Sequence, residues 1–243
     1  MRKVFAIILM AVVLFSFTGC FGMFNRTQNP IWLYDYSGLR LVQLEPPQPG
    51  QPIITVYTSH GEFTAMLFPE YAPNTVENFM TRVEEGFYND KPVFGLVTDM
   101  YFLSGAYDED GQQGVTKDGR LIPNENSVNL WPFKGSLMAF SGRQGFGDSR
   151  FLVCGSEEVT AAGVEELKSA TRPDGTQLLP DELLTAFREN ECMLGLMGAF
   201  TIFGQVIDGM DTIDVILALN TDDRNRPTDE IYIERIELSE WSE

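Results

Sequence analysis

Histidine is nearly absent from this sequence: His60 is the only one in 243 residues. Ser-His-Asp chemistry and multi-histidine metal sites need imidazoles, and a single ring nearly excludes both. Cysteine is scarce as well. Cys20, Cys154 and Cys192 are too few for a disulfide scaffold. Basic residues are outnumbered, with 17 Lys and Arg against 35 Asp and Glu, a formal net charge of −18. A surface of that sign repels phosphate backbones, which argues against nucleic acid as a partner. No internal repeat is visible. What is present is an ordinary globular balance, 44% hydrophobic and 21% charged, sufficient for one core in a chain of one-domain length with attachments.

The chain opens on Arg2-Lys3 and an apolar run over residues 4–17, then Thr18-Gly19-Cys20. A basic start, a run of this length and small residues make a secretory signal peptide over residues 1–19. The junction resembles a bacterial lipobox, which makes Cys20 the lipidated N-terminus of an extracytoplasmic, membrane-anchored protein. Phe17 departs from the leucine-like residue usual three before the cysteine. An uncleaved anchor or simple secretion are the alternatives, and all three place the body outside the cytoplasm. Residues 20–52 then read as a tether, with a Pro-rich end at Glu45-Pro-Pro-Gln-Pro-Gly-Gln-Pro52. Its aromatic stretch Ile31-Trp-Leu-Tyr-Asp-Tyr36 either packs back onto the body or sits at the membrane interface.

The folded body is expected over residues 53–240. Residues 53–57 and 62–68 are β-rich and joined by Ser59-His60-Gly61, a hairpin with His60 at the surface. Val76, Phe79, Met80 and Val83 fall on one face of a helix that has Pro73 in its first turn. Short strands follow at residues 93–97, 101–103, 136–140 and 151–154. A polar insertion at 156–192 carries helix-like stretches near 164–170 and 180–189, and a strand, helix and strand close the chain. Many short strands with only two core-facing helices point to a mainly β fold, a closed antiparallel barrel with helical plugs. Cys154 and Cys192 are open to a disulfide in this compartment, although Cys154 ends an apolar strand where a buried thiol is common. Asp108-Glu-Asp-Gly111 lacks the spacing of a calcium loop and reads as a solvated acidic turn.

Four segments resemble the cyclophilin-type peptidyl-prolyl isomerases. They are Leu67-Phe-Pro-Glu-Tyr-Ala-Pro-Asn-Thr-Val-Glu-Asn-Phe79, Glu85-Gly-Phe-Tyr88, Gly135-Ser-Leu-Met-Ala139 and Thr201-Ile-Phe-Gly-Gln-Val-Ile-Asp-Gly-Met-Asp211. They occur in the family's order across residues 53–238. The resemblance implies an eight-stranded antiparallel barrel closed by two helices, a monomer acting on proline-containing peptides or exported proteins, and no cofactor or metal. It also implies rotation about X–Pro bonds, whose uncatalysed barrier is about 18–20 kcal/mol.

The implied site is altered. The family's Phe-His-Arg segment aligns with Phe94-Gly95-Leu96, so Leu96 stands at the arginine donor position. Tyr101 and Phe102 take the places of the slot aromatics, and Ser104 that of a glutamine. The Gln-Phe-Phe wall reads Arg150-Phe151-Leu152, and the segment with the family's tryptophan and histidine reads Gly195-Leu-Met-Gly-Ala-Phe200. The expected groove is therefore Phe94, Leu96, Tyr101, Phe102, Ser104, Phe140, Phe151, Leu152, Leu196 and Phe200. Arg150 is the one candidate catalytic residue, a relocated donor that reaches the vacated space. The alternative is that Arg150 pairs with Asp148 or Glu157. Losing a pre-organised donor costs about 10²–10³ in rate, so the expected activity is reduced. A non-catalytic binding module on the same fold, or a purely structural barrel, are the competing readings.

Overall fold

The computed structural model describes residues 33–157 and 159–242; the signal sequence at 1–19 and the lipidation site Cys20 lie outside them. The hairpin forms from β1 (Pro52–Thr58) and β2 (Gly61–Leu67). Thr58 closes the turn, its hydroxyl donating to the Gly61 carbonyl at 2.7 Å and accepting from the His60 amide at 3.1 Å. Gly61 sits at φ 126°, a region that L side chains rarely adopt. Helix α1 (Pro73–Glu84) begins at Ala72, which has no side-chain oxygen to cap it. Glu125 caps it from a distant loop, accepting from the Asn74 and Thr75 amides at 3.0 and 2.9 Å.

The remaining strands are β3 (Lys91–Pro92), β4 (Gly95–Val97), β5 (Tyr101–Ser104), β6 (Ile122–Pro123), β7 (Ser136–Ala139), β8 (Phe146–Gly147), β9 (Phe151–Cys154), β10 (Ile202–Asp208) and β11 (Tyr232–Glu240). Helices α2 (Ala161–Ser169) and α3 (Asp181–Glu189) lie in the insertion, and α4 (Met210–Leu217) follows β10. Nine strands form one antiparallel sheet in the order β3-β11-β1-β2-β10-β7-β9-β5-β4, while β6 and β8 pair separately.

This corrects the expected architecture: the sheet curls into a half-barrel of nine strands and does not close as a barrel of eight. The reason lies at the two ends of the sheet. At one end β3 has two residues, and Pro92 has no amide to donate. At the other, the Leu96 amide is already taken by the Asn225 carbonyl at 2.7 Å, from the 221–227 turn. That turn covers the β4 edge in place of a neighbouring strand.

The concave face holds the main core. Val76, Phe79 and Val83 of α1 and Ile213, Ile216 and Leu217 of α4 plug it against the inward side chains of the sheet. The Phe79 ring packs 4.9 Å from Tyr88, 5.6 Å from Phe151 and 5.0 Å from Phe203. A second cluster lies on the convex face, and a third joins the insertion to Trp131 and Phe133.

Part of the stretch read as a tether belongs to this third cluster. Tyr34, Tyr36, Leu39 and Leu41 pack against it, and the Arg172 guanidinium lies 5.3 Å from the centroid of the Tyr36 ring. Gln43 is buried, donating to Ser136 Oγ and Gln205 Oε1 at 2.9 Å each and accepting from the Trp131 amide at 2.6 Å. Of the two placements open to the aromatic stretch, Tyr34 and Tyr36 take the one against the body. Cys154 and Cys192 are buried free thiols, and burial pushes the Cys192 thiol up to about 12.

Candidate functional site

Strand register decides which side chains share a face, because neighbours across a ladder point the same way and a shift of one residue reverses them. One row runs Leu96, Phe102, Val153, Leu137 across β4, β5, β9 and β7. All four lie in the concave core. The adjacent row runs Gly95, Leu103, Leu152, Met138, Ile202 across the same strands and β10. Its four side chains belong to the convex cluster, where Tyr101, Leu196 and Phe200 join them.

The expected groove residues therefore divide. Leu96, Phe102 and Phe151 point into the core with 1% exposure each, and Ser104 is fully buried, donating to the Pro92 carbonyl at 2.9 Å. These four do not line a groove. Tyr101, Leu152, Leu196 and Phe200 do come together on the convex face. Phe94 and Phe140 are not members of that cluster, although Phe140 borders it at Phe200. The Phe94 ring lies over Gly111, so close that a Cβ on Gly111 would meet it at 2.1 Å. Phe140 stands 6.1 Å from Phe200, centroid to centroid. The sequence reading missed Leu103 and Met138. The signal for them was the two-residue alternation itself, which makes Leu103 a face-mate of Tyr101 rather than of Phe102.

One margin of this face is a 3-10 turn at Leu194–Leu196. Glu157 of the insertion steadies it, accepting from the Gly195 amide at 3.2 Å. Gly195 itself is open: a Cβ there meets nothing within 4 Å. Phe200, half-buried, follows the turn.

Arg150 is 5% exposed and tightly held. Its Nε donates to Asp148 Oδ1 at 3.1 Å and its Nη2 to Oδ2 at 2.7 Å. Nη1 donates to the carbonyls of Gly111 and Gln112 at 2.9 and 3.1 Å. The guanidinium carbon also lies 5.1 Å from the Phe140 ring centroid. A guanidinium has five N–H groups, and these contacts use four of them. Of the roles open to Arg150, this geometry is the ion pair's, and Asp148 is the partner.

The convex cluster holds two phenols, Tyr71 and Tyr101, and beside Gly95 its partly exposed members are Tyr101, Leu103 and Phe200, over buried Leu152, Met138 and Leu196. Burial pushes the Tyr101 hydroxyl up from its ordinary value. No group of three or more His, Cys, Asp or Glu among the described residues is placed to hold a metal ion. Such a surface can hold a compact apolar group, and it presents no cation along the row from Gly95 to Met138.

Comparison with known proteins agrees with the topology. A family model described as cyclophilin type peptidyl-prolyl cis-trans isomerase/CLD matches residues 53–238. A Staphylococcus aureus protein named "Putative peptidyl-prolyl cis-trans isomerase" is 30% identical over 194 residues, 79% of this chain and 94% of the relative. A longer Streptococcus pyogenes protein named "Putative bifunctional phosphatase/peptidyl-prolyl cis-trans isomerase" is 26% identical over 202 residues, covering 82% of this chain and 41% of its own length. Among solved structures, a cyclophilin type peptidyl-prolyl cis-trans isomerase of Cryptosporidium parvum superposes with a TM-score of 0.59 at 20% identity, covering 79% of this chain and 99% of that one. At that identity the likeness speaks for the fold. The family model, matching most of the chain, together with the staphylococcal relative, makes this protein a member of the cyclophilin-type peptidyl-prolyl cis-trans isomerase family.

Proposed function

We propose that the protein is a lipid-anchored, extracytoplasmic member of this family that binds proline-containing segments of exported proteins and isomerises them slowly. The observation that carries the reading is the partly exposed patch of Tyr101, Leu103 and Phe200 beside Gly95 on the convex face, resting on the buried Leu152, Met138 and Leu196. It supplies apolar contact for a pyrrolidine ring and no cationic donor. Twisting an X–Pro bond weakens amide resonance, and a donor to the substrate lowers the barrier of about 18–20 kcal/mol. Without one, the face binds the ring and does little for the rotation. A Cryptosporidium parvum cyclophilin of the same fold has been solved in the presence of the dipeptide Ala-Pro, which supports prolyl peptide as the ligand class. The missing donor equally favours a second reading, a module that binds prolyl segments without turning them.

Titrating an Ala-Pro peptide into methyl-labelled protein tests the binding that both readings share. Shifts are expected at the methyls of Leu103, Leu152 and Leu196. Shifts confined to other surfaces, or none at saturating peptide, would reject both.

The anchor has its own test. Cys20→Ser should release the protein from the membrane fraction or leave it as an unprocessed precursor. A mutant that reaches mature size and stays in the membrane would end the lipidation proposal.

A further inference from the structure

We infer that Arg150 is a positioning residue: it brackets the 108–114 loop against the convex face and thereby governs peptide affinity rather than the rate of bond rotation. The inference rests on the peptide-binding reading above and assigns Arg150 a different task from a catalytic donor. Three observations carry it. The guanidinium joins two backbone carbonyls of that loop, Gly111 and Gln112, to the Asp148 carboxylate. Both partners are almost fully enclosed, with side-chain exposures of 6% and 2% for Arg150 and Asp148.

The loop is also fitted to this bracket. A Cβ on Gly114 would meet Asp148 Oδ1 at 1.9 Å, and one on Gly111 would meet the Phe94 ring at 2.1 Å. Only glycine can sit that close, so the loop backbone lies directly on the ion pair and on the Phe94 ring. From there the contacts run outward: the guanidinium carbon lies 5.1 Å from the Phe140 ring centroid, and Phe140 meets Phe200 of the convex cluster at 6.1 Å in a tilted contact. The loop's outer rim is tied separately, Asp110 pairing with Arg226 at 2.8 Å. Arg226 belongs to the 221–227 turn that covers the β4 edge. The two loops thus flank the strand that carries Gly95, and Arg150 fixes one of them from beneath.

A donor to substrate would need N–H groups directed at the bound peptide. Four of the five on Arg150 are directed at protein acceptors, two of them carbonyls that would otherwise be left without these bonds. Hydrogen bonds from a charged donor are among the stronger ones in proteins, so releasing the loop should cost about tenfold or more in the order it imposes.

The experiment uses the full chain and two variants. Arg150→Lys keeps the charge and loses the fork. Arg150→Leu with Asp148→Leu removes both charges together, which avoids stranding a buried carboxylate and keeps a folded comparison should the single variant fail to fold. Two quantities are read: amide exchange in the 108–114 loop, and KM against kcat for an Xaa-Pro peptide. The expected result is loop exchange faster by about tenfold or more and KM raised by a similar factor, with kcat changed less than about twofold. Unchanged loop exchange would overturn the bracket. A fall in kcat at constant KM would overturn it too, and would make Arg150 the donor. If the wild type binds no prolyl peptide while the variants still loosen the loop, the peptide reading fails and the affinity role fails with it. The exchange data separate that outcome from failure of the bracket.

Discussion

Leu96→Arg is expected to cost the protein its fold rather than restore a catalytic donor. Aligned by motif, position 96 is where the family's arginine falls, so the substitution looks like a repair. In the structure Leu96 is 1% exposed and packs in the concave core, paired across the ladder with Phe102. A guanidinium there has no partner and no water, while the burial of a leucine is lost. Placing an unpaired charge in a core costs at least about 4 kcal/mol, against a typical total stability of 5–15 kcal/mol. Denaturant unfolding followed by tryptophan fluorescence should give a midpoint collapsed toward zero, or an aggregated protein. A variant that folds with the wild-type midpoint would place residue 96 on the outer face after all.

Gly95→Arg is the substitution expected to raise activity. Gly95 occupies the convex row beside Leu103 and Leu152. It is not among the residues of positive φ, so a side chain strains no backbone. The nearest atom to its Cβ is Leu103 Cδ1 at 3.2 Å, the mobile end of a side chain that can give by a few tenths of an ångström. The new guanidinium would stand on the apolar face proposed to hold a prolyl peptide. A pre-organised donor is worth about 10²–10³ in rate, and one supported by no neighbouring polar group should recover about tenfold of it. The readout is kcat/KM on an Xaa-Pro peptide beside the wild type. A variant with unchanged stability and peptide affinity but no gain would mean that the missing donor is not what limits the reaction.

The two mutations differ by one residue and by the face of a sheet. That is also where the sequence stopped being legible. Long motifs such as Leu67-Phe-Pro-Glu-Tyr-Ala-Pro-Asn-Thr-Val-Glu-Asn-Phe79 identified the family, because they combine a strand end, a turn and the apolar face of α1 in one run. The paired strands and both core helices were readable from periodicity. Barrel closure was not. It fails through an amide taken by Asn225 and a proline in a two-residue strand, features of tertiary contact that no pattern announces.

The site was harder still. Contiguous alignment of Phe94-Gly95-Leu96 ignored parity, and parity sends Leu96 inward and Gly95 outward. Phe151 misled for the same reason, since it packs in the concave cluster and its neighbour Leu152 in the convex one. The choice between donor and ion pair for Arg150 depended on Gly111 and Gln112, which lie 39 and 38 residues earlier in the chain. Only the folded loop brings those carbonyls to the guanidinium.

The proposed function requires that the family's apolar binding face persist here without its cationic donor. A protease-coupled isomerisation assay on a short Xaa-Pro peptide, with the full-length wild type set beside a cyclophilin that keeps the Phe-His-Arg segment, tests it most directly. The expected kcat/KM is lower by at least about 10²-fold. Equal turnover by the two proteins would contradict it.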